Sequence, residues 1–359
     1  MNDSFFNHMK KKAVIYIPVM TFILVFLSLL CLPTYLTAGE TFEFTSAHFD
    51  LEKLGDGVYA AIHKVGGGAV CNGGIIDLGG RTVIFDPFLS LDAARDLKDA
   101  AKKLCTGPIV YVVNSHSHRD HTNGNMIFKP DAAIIATGKT RLDLMAGAAE
   151  YLERIKETAP KQYESLKTDF ENENDPEKKQ DIALWLGYYE ALVKDSLELR
   201  IVPPDITFTK KIVLSGTERT IELVAPGHGH SESDLVLFLP EEGILFAGDL
   251  VFYKMHPYTG EGDPYNWLKI LKTMQSWNIN TVVPGHGPVE DASCLKVMVE
   301  YLVMLDKTAQ NLLDEGISPD FAEEMPVPKL YEDWDFGNFF AGSVKFMMTY
   351  VAKKRLEME

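Results

Sequence analysis

The sequence predicts an α/β protein, open sheets flanked by helices, with its chemistry gathered where strands end. Three observations carry this expectation. The run Ile109-Val-Tyr-Val-Val113 is apolar and mostly β-branched, as a buried strand is, and leads straight into Asn114-Ser-His116-Ser-His118-Arg-Asp120-His121. Ahead of it, Thr82 to Asp86 reads as a strand and Leu91 to Leu104 as an amphipathic helix. That strand–helix–strand order is one in which open sheets hold ligands beyond the carboxyl ends of their strands. Behind it, polar turns recur after apolar runs, at Pro226-Gly-His-Gly-His230, Ala247-Gly-Asp249 and Pro284-Gly-His286.

Taken in order, the chain begins with Lys10-Lys-Lys12 and an uncharged apolar run from Ala13 to Leu32, then Ala38. A basic flank, an apolar segment and a small residue are the parts of an export signal. The run is long for a signal and approaches the ~20 residues of a membrane span. Residues 1–38 are therefore expected to be a signal peptide or an N-terminal membrane anchor, with the remainder exported to the periplasm or beyond. From Phe42 short strands follow, among them Gly57 to Ile62 and Ala69 to Leu78, then Thr82 to Asp86. Ser90 caps the helix from Leu91, whose Leu91, Ala94, Leu97 and Ala101 mark one face.

Residues 150–199 differ in character. They are highly charged, broken near Asn172 to Pro176, and show helical spacing through Ile182, Trp185, Leu186, Tyr189 and Leu192. Two or three inserted helices are expected, either a solvated excursion or a lid in which Trp185, Tyr188 and Tyr189 line a site beneath. Strands resume at Ile212, Thr220 to Ala225, Leu235 to Leu239 and Ile244 to Ala247. A helix from Pro264 to Trp277, the strand Asn280 to Val283 and a long helix from Asp291 to Leu313 complete a domain over 42–313. Residues 314–359 are an aromatic-rich extension expected to pack on it.

Composition narrows the function. With 46% hydrophobic residues among 359, a sizeable core is available. A net charge of −16 argues against nucleic acid as the partner, because phosphate binding requires a basic footprint. Outside the leader, Cys71, Cys105 and Cys294 are scattered and odd in number, so disulfides are not what holds the fold.

Histidine and aspartate at these spacings point to metal. Residues two apart on an extended chain face one way, so His116 and His118 can serve one ion, while Asp120 and His121 turn towards a second. Nitrogen and carboxylate donors suit Zn²⁺, or another divalent metal such as Fe or Mn.

The His-x-His-x-Asp-His motif, with the three later turns, resembles the signature of the metallo-β-lactamase superfamily over roughly Phe49 to Leu313. The resemblance implies a four-layer αββα sandwich with a dinuclear site, two Zn²⁺, at one edge. It implies that His116, His118 and His230 hold the first ion, that Asp120, His121 and His286 hold the second, and that Asp249 bridges both. The frame Gly229-His-Ser-x-x-Asp234 matches the family and selects His230 over His228. Asp86, at the end of its strand, matches an acid that orients a ligand histidine. Two ions ~3.5–4 Å apart bring the pKa of a shared water from 15.7 towards ~7, with Asp120 and Asp249 as the catalytic carboxylates. Tyr253 and His256 follow Asp249 closely enough to line the pocket.

The implied activity is hydrolysis of an ester, thioester or amide-like bond in a small molecule. The run Gly243 to Phe252, a Trp-bearing helix and Val283-Pro-Gly-His-Gly-Pro-Val289 resemble the exported, β-lactamase-like and quinoprotein-relay-associated branch. β-Lactam hydrolysis is the alternative within that class, and a non-hydrolytic di-iron redox or accessory protein the alternative outside it. The best-known zinc β-lactamases carry Cys where this chain has Asp249 and Lys where it has Phe252. Lactonases of the family carry Tyr at that latter position, one residue before Tyr253.

Overall fold

Two mixed sheets stack face to face in the computed structural model, which describes residues 44–358. The first runs β1 (Phe49–Gly55), β2 (Val58–His63), β3 (Gly73–Asp77), β4 (Thr82–Phe85), β5 (Ile109–Val113), β6 (Ala133–Thr137) and β7 (Ile206–Phe208) in spatial order. Its strands are antiparallel through β4 and parallel from β4 to β7. The parallel half needs crossovers, supplied by α1 (Leu91–Leu104) between β4 and β5 and by α2 (Arg119–Thr122) with a 3₁₀ turn between β5 and β6. The second sheet follows as β8 (Lys211–Ser215), β9 (Thr220–Val224), β10 (Val236–Leu239), β11 (Ile244–Phe252), β12 (Thr281–His286) and β13 (Glu290–Asp291). Only β11 and β12 are parallel there.

Period-two alternation builds the layers. Val58, Ala60, Ile76, Val83 and Phe85 face the second sheet and meet Leu223, Leu237 and Phe246, with the Phe85 and Phe246 rings 5.6 Å apart. Their neighbours Tyr59, Ala61, Ile75 and Ile84 face outward onto the apolar stripe of α1. Ser90 starts that helix, its Oγ accepting from the Ala93 amide at 3.1 Å. On the far side, Phe238, Leu245, Ala247 and Val251 are covered by α6 (Pro264–Met274) and α7 (Ser293–Asp314). Helix, sheet, sheet, helix makes the four-layer αββα sandwich.

Between β6 and β7 lie α3 (Gly138–Ala146), α4 (Ala148–Asn172) and α5 (Pro176–Asp195). Tyr151, Ile155, Ala191 and Leu192 of this excursion pack on Val70, Leu89 and Leu91 at the rim of the first sheet. The C-terminal segment packs under the second sheet's helices and meets α5 through Phe336 and Phe339. Phe340, Val344, Met347 and Val351 of α8 (Gly337–Met358) join the core under α7, and Trp334 stacks on Tyr301 at 5.3 Å. Cys71, Cys105 and Cys294 are buried free thiols. The signal or anchor expected over 1–38 lies outside the described residues. Among those described, no helix is long and apolar enough to cross a membrane.

One strand is longer than its sequence suggests. β11 continues past Ala247 to Phe252, so Asp249 sits within a strand and not in a turn behind it. Gly248, at φ +52, marks a register shift against β12 that bends the strand and aims Asp249 at the sheet edge.

Candidate metal centre

The ends of β5, β11 and β12 and the loop before β10 meet at one edge of the sandwich. There His116 Nε2, His118 Nδ1, His230 Nε2 and a carboxylate oxygen of Asp249 converge, as do atoms of His121, Asp249 and His286. The distances have a pattern. His230 Nε2 is 3.2 Å from His118 Nδ1 and 3.4 Å from Asp249 Oδ2, which lies 3.7 Å from His116 Nε2. In the second group His121 Nε2 is 3.2 Å from Asp249 Oδ1 and 3.4 Å from Asp120 Oδ2. His286 Nε2 is 3.4 Å from both of those oxygens.

Donors at 2.0–2.1 Å from a tetrahedral zinc ion are about 3.3 Å from one another, so both groups have the edge length of a filled coordination shell. His116 Nε2, His121 Nε2 and Asp249 Oδ1 are also buried without any hydrogen-bond partner. Orphaned polar atoms converging on one place are costly unless a cation satisfies them. The residues fit two divalent ions, with one Asp249 oxygen directed to each.

Electrostatics agree with that fit. Burial, reinforced by the facing His121 and His118, holds His116 neutral, well below the ordinary histidine value; burial pushes His230 down to about 3. Burial opposes ionisation of Asp249, yet the surrounding imidazoles hold its carboxyl well below the usual range. Burial likewise opposes protonation of His286, but Asp249 and Asp120 draw it up to about 9. A metal ion held by these residues would take the place of the proton.

Outer partners fix the donors. Asp86 Oδ2 lies 2.8 Å from His121 Nδ1 while its Oδ1 accepts from the Ser115 amide at 2.7 Å. Asp234 accepts from the Gly229 and Ser231 amides and from Ser231 Oγ, which clamps the turn on both sides of His230. His228 points elsewhere, its Nε2 2.8 Å from the Glu261 carbonyl. Glu261 Oε2 sits 3.4 Å from His118 Nε2, the nitrogen turned away from the cluster. Gly285 is required by closeness, since a Cβ there would fall 2.0 Å from Asp249 Oδ1. Cys71 donates to the Asp120 carbonyl at 3.0 Å, and burial pushes its thiol up to about 12, so it stays protonated.

A cavity of about 850 Å³ opens above the cluster. His118, Asp120, Asp249 and His286 form its floor. Trp185 and Tyr188 of α5 line it, whereas Tyr189 packs behind them, 5.1 Å from the Tyr188 ring. Tyr253 does not line it. Successive strand residues face opposite ways, so Phe252 takes the cavity side, stacked at 5.1 Å on His286, and Tyr253 packs against the α7 core. His256 borders the cavity, but both its nitrogens face inward, to Tyr301 Oη at 2.7 Å and the Tyr331 carbonyl at 3.2 Å, making it a packing residue. Arg119, Arg154, Glu261, Phe336 and Phe339 also stand in the wall, where sequence did not place them. Arg119 alone carried a signal, a cation set between two donors.

Comparison with known proteins agrees with this architecture. A family model described as the metallo-beta-lactamase superfamily matches residues 66–286. A metallo-beta-lactamase type 2 from Bacillus sp. (strain 170) is 39% identical over 80 residues, 21% of this chain and 31% of that protein. The chain thus spans less than a third of the length of that curated relative. A linear primary-alkylsulfatase from a Pseudomonas strain is 23% identical over 266 residues, 68% of this chain and 48% of that enzyme. Among solved structures, a metallo-beta-lactamase from Pontibacter korlensis superposes with a TM-score of 0.50 at 19% identity, covering 71% of this chain and 98% of that one. VMB-1 superposes with 0.51 at 20%, covering 72% and 99%.

Proposed function

This chain belongs to the metallo-β-lactamase superfamily, and from that premise we propose that it is a dinuclear zinc hydrolase cleaving an ester, thioester or amide-like bond in a small molecule outside the cytoplasm. The observation that carries the proposal is Asp249, whose two oxygens face separate sets of buried donors at coordination-edge distances. His116, His118 and His230 would hold one ion, and Asp120, His121 and His286 the other, with Asp249 shared. Such a pair of ions supplies Lewis acidity, acidifying water and polarising the bond to be cleaved.

The chain's own residues do the rest. Asp120 Oδ2 sits between His121 and His286 at the cavity floor, which leaves its other oxygen to orient a water. Asp86 and Glu261 keep the His121 and His118 rings from rotating. Trp185, Phe336 and Phe339 give the cavity an apolar wall. The placement outside the cytoplasm rests on the basic-flanked apolar run Ala13 to Leu32.

The test is metal content of the purified chain with a panel of ester, thioester, lactone, alkyl sulfate and β-lactam substrates. We expect two zinc ions per chain and hydrolysis that a chelator abolishes and zinc restores. Iron with redox turnover and no hydrolysis would overturn the proposal. The 80-residue likeness to β-lactamases makes the β-lactam arm the second reading.

A further inference from the structure

The acidic side chains lining the cavity all face cationic or imidazole partners. Lys139 Nζ reaches Asp143 at 2.6 Å and Glu232 at 3.0 Å, Glu261 faces His118, and Asp120 and Asp249 face the histidine cluster. Arg119 and Arg154 line the same cavity and have no such partner among the described residues. The Arg119 guanidinium lies 4.6 Å over the Tyr151 ring, and its Nη1 is shielded from solvent without an acceptor. Arg154 approaches the same ring at 5.8 Å. Tyr151 is buried and fixed by Asn123, which donates to its hydroxyl at 3.0 Å, so the ring holds both cations in place.

Two guanidiniums gathered on one ring repel each other, and Arg119, with a buried and unsatisfied nitrogen, carries a desolvation cost that its contact with the Tyr151 ring only partly offsets. The arrangement is notable in a chain of net charge −16, where acidic partners are plentiful. Arginine presents a planar fork matched to two oxygens of a carboxylate, sulfate or phosphate group. Beside it runs an apolar wall, in which Trp185 meets Tyr188, Phe336 and Phe339 at ring separations of 5.5–5.9 Å.

We infer that Arg119 and Arg154 form an oxyanion subsite, selecting amphipathic substrates whose apolar body lies on the Trp185 wall and whose anionic group is distinct from the bond cleaved. This deepens the hydrolase proposal and rests on it for the word substrate. The subsite itself is testable without turnover.

Binding of naphthalene-2-sulfonate, 2-naphthoate and neutral 2-naphthylmethanol is measured by calorimetry on the full chain, zinc-loaded and after chelation. Chelation removes attraction to the metal ions, and the arginine variants then separate the share of Arg119 and Arg154 from that of Lys139 and the histidines on the floor. At least one anion should bind about 10-fold or more tightly than the alcohol in the chelated protein, and R119Q and R154Q should each reduce that preference about 10-fold. R119K, which keeps the charge without the fork, should fall between. R154Q alters an exposed side chain, so the test survives if R119Q fails to fold. Sulfonate against naphthoate separates a tetrahedral from a planar anion. Equal binding of the alcohol, no binding of any probe, or a preference untouched in both variants would overturn the inference. A zinc-loaded protein that keeps the preference but hydrolyses nothing in the panel would overturn the hydrolase proposal alone.

Discussion

Asp86 Oδ2 and His121 Nδ1 lie 2.8 Å apart with both side chains fully buried, and Asp86 adopts a φ of +47° to make that contact. A left-handed backbone at a residue other than glycine costs ~1–3 kcal/mol, so the surrounding structure holds Asp86 there against its preference. The orientation of His121 offsets that strain. D86A is expected to weaken zinc at the Asp120–His121–His286 group about 10- to 100-fold and to leave the His116–His118–His230 group filled. Chelator-competition titration resolves the two affinities, and two unchanged affinities would refute a positioning role.

Asp249 divides its oxygens between the two groups, so its loss should not act like the loss of a one-sided donor. D249A is expected to lower zinc content at both places and to cut hydrolysis on the order of 10²-fold or more. H286A should deplete one ion only. Elemental analysis of the two variants side by side checks the difference.

His256 gives a pH dependence that is independent of the metal. The Tyr331 carbonyl can only accept, so Nε2 carries the hydrogen and Nδ1 accepts from Tyr301. Burial pushes the pKa of His256 down to about 4. The unfolded chain takes up this proton near pH 6.5. The unfolded state therefore binds more protons between those values, and stability falls as pH drops through the window, by roughly 2 kcal/mol. Urea unfolding at pH 7 and pH 4.5 should show the loss. H256Q should be less stable throughout but lose that part of the slope.

If the helical excursion acts as a lid, its aromatic residues contribute binding more than chemistry. W185A is expected to raise KM about 10-fold with a smaller change in kcat, since it removes wall area and no group at the cluster. Equal kinetics for W185A and the parent on a turned-over substrate would dispose of the lid.

His116, His118, Asp120 and His121 were legible in the sequence because their spacing is local, whereas His230, Asp249 and His286 were assigned through the family resemblance. Two-residue spacing after a buried strand places His116 and His118 together, and the Gly-His-Ser-x-x-Asp frame encodes the clamp that Asp234 makes around His230. The helix from Leu91 to Leu104 was legible for the same reason, with Ser90 announcing its start. Whether Tyr253 packs or lines the pocket was left open, because the facing of β11 depends on the bulge at Gly248, which sets the alternation for everything after it. Phe336 and Phe339 could not be found at all. Nothing in an aromatic-rich tail says which cavity it will reach across the chain.

The stretch matched by the family model ends at His286, so Phe336 and Phe339 lie beyond that match. Substitutions in the tail would reshape the cavity wall without touching a candidate ligand.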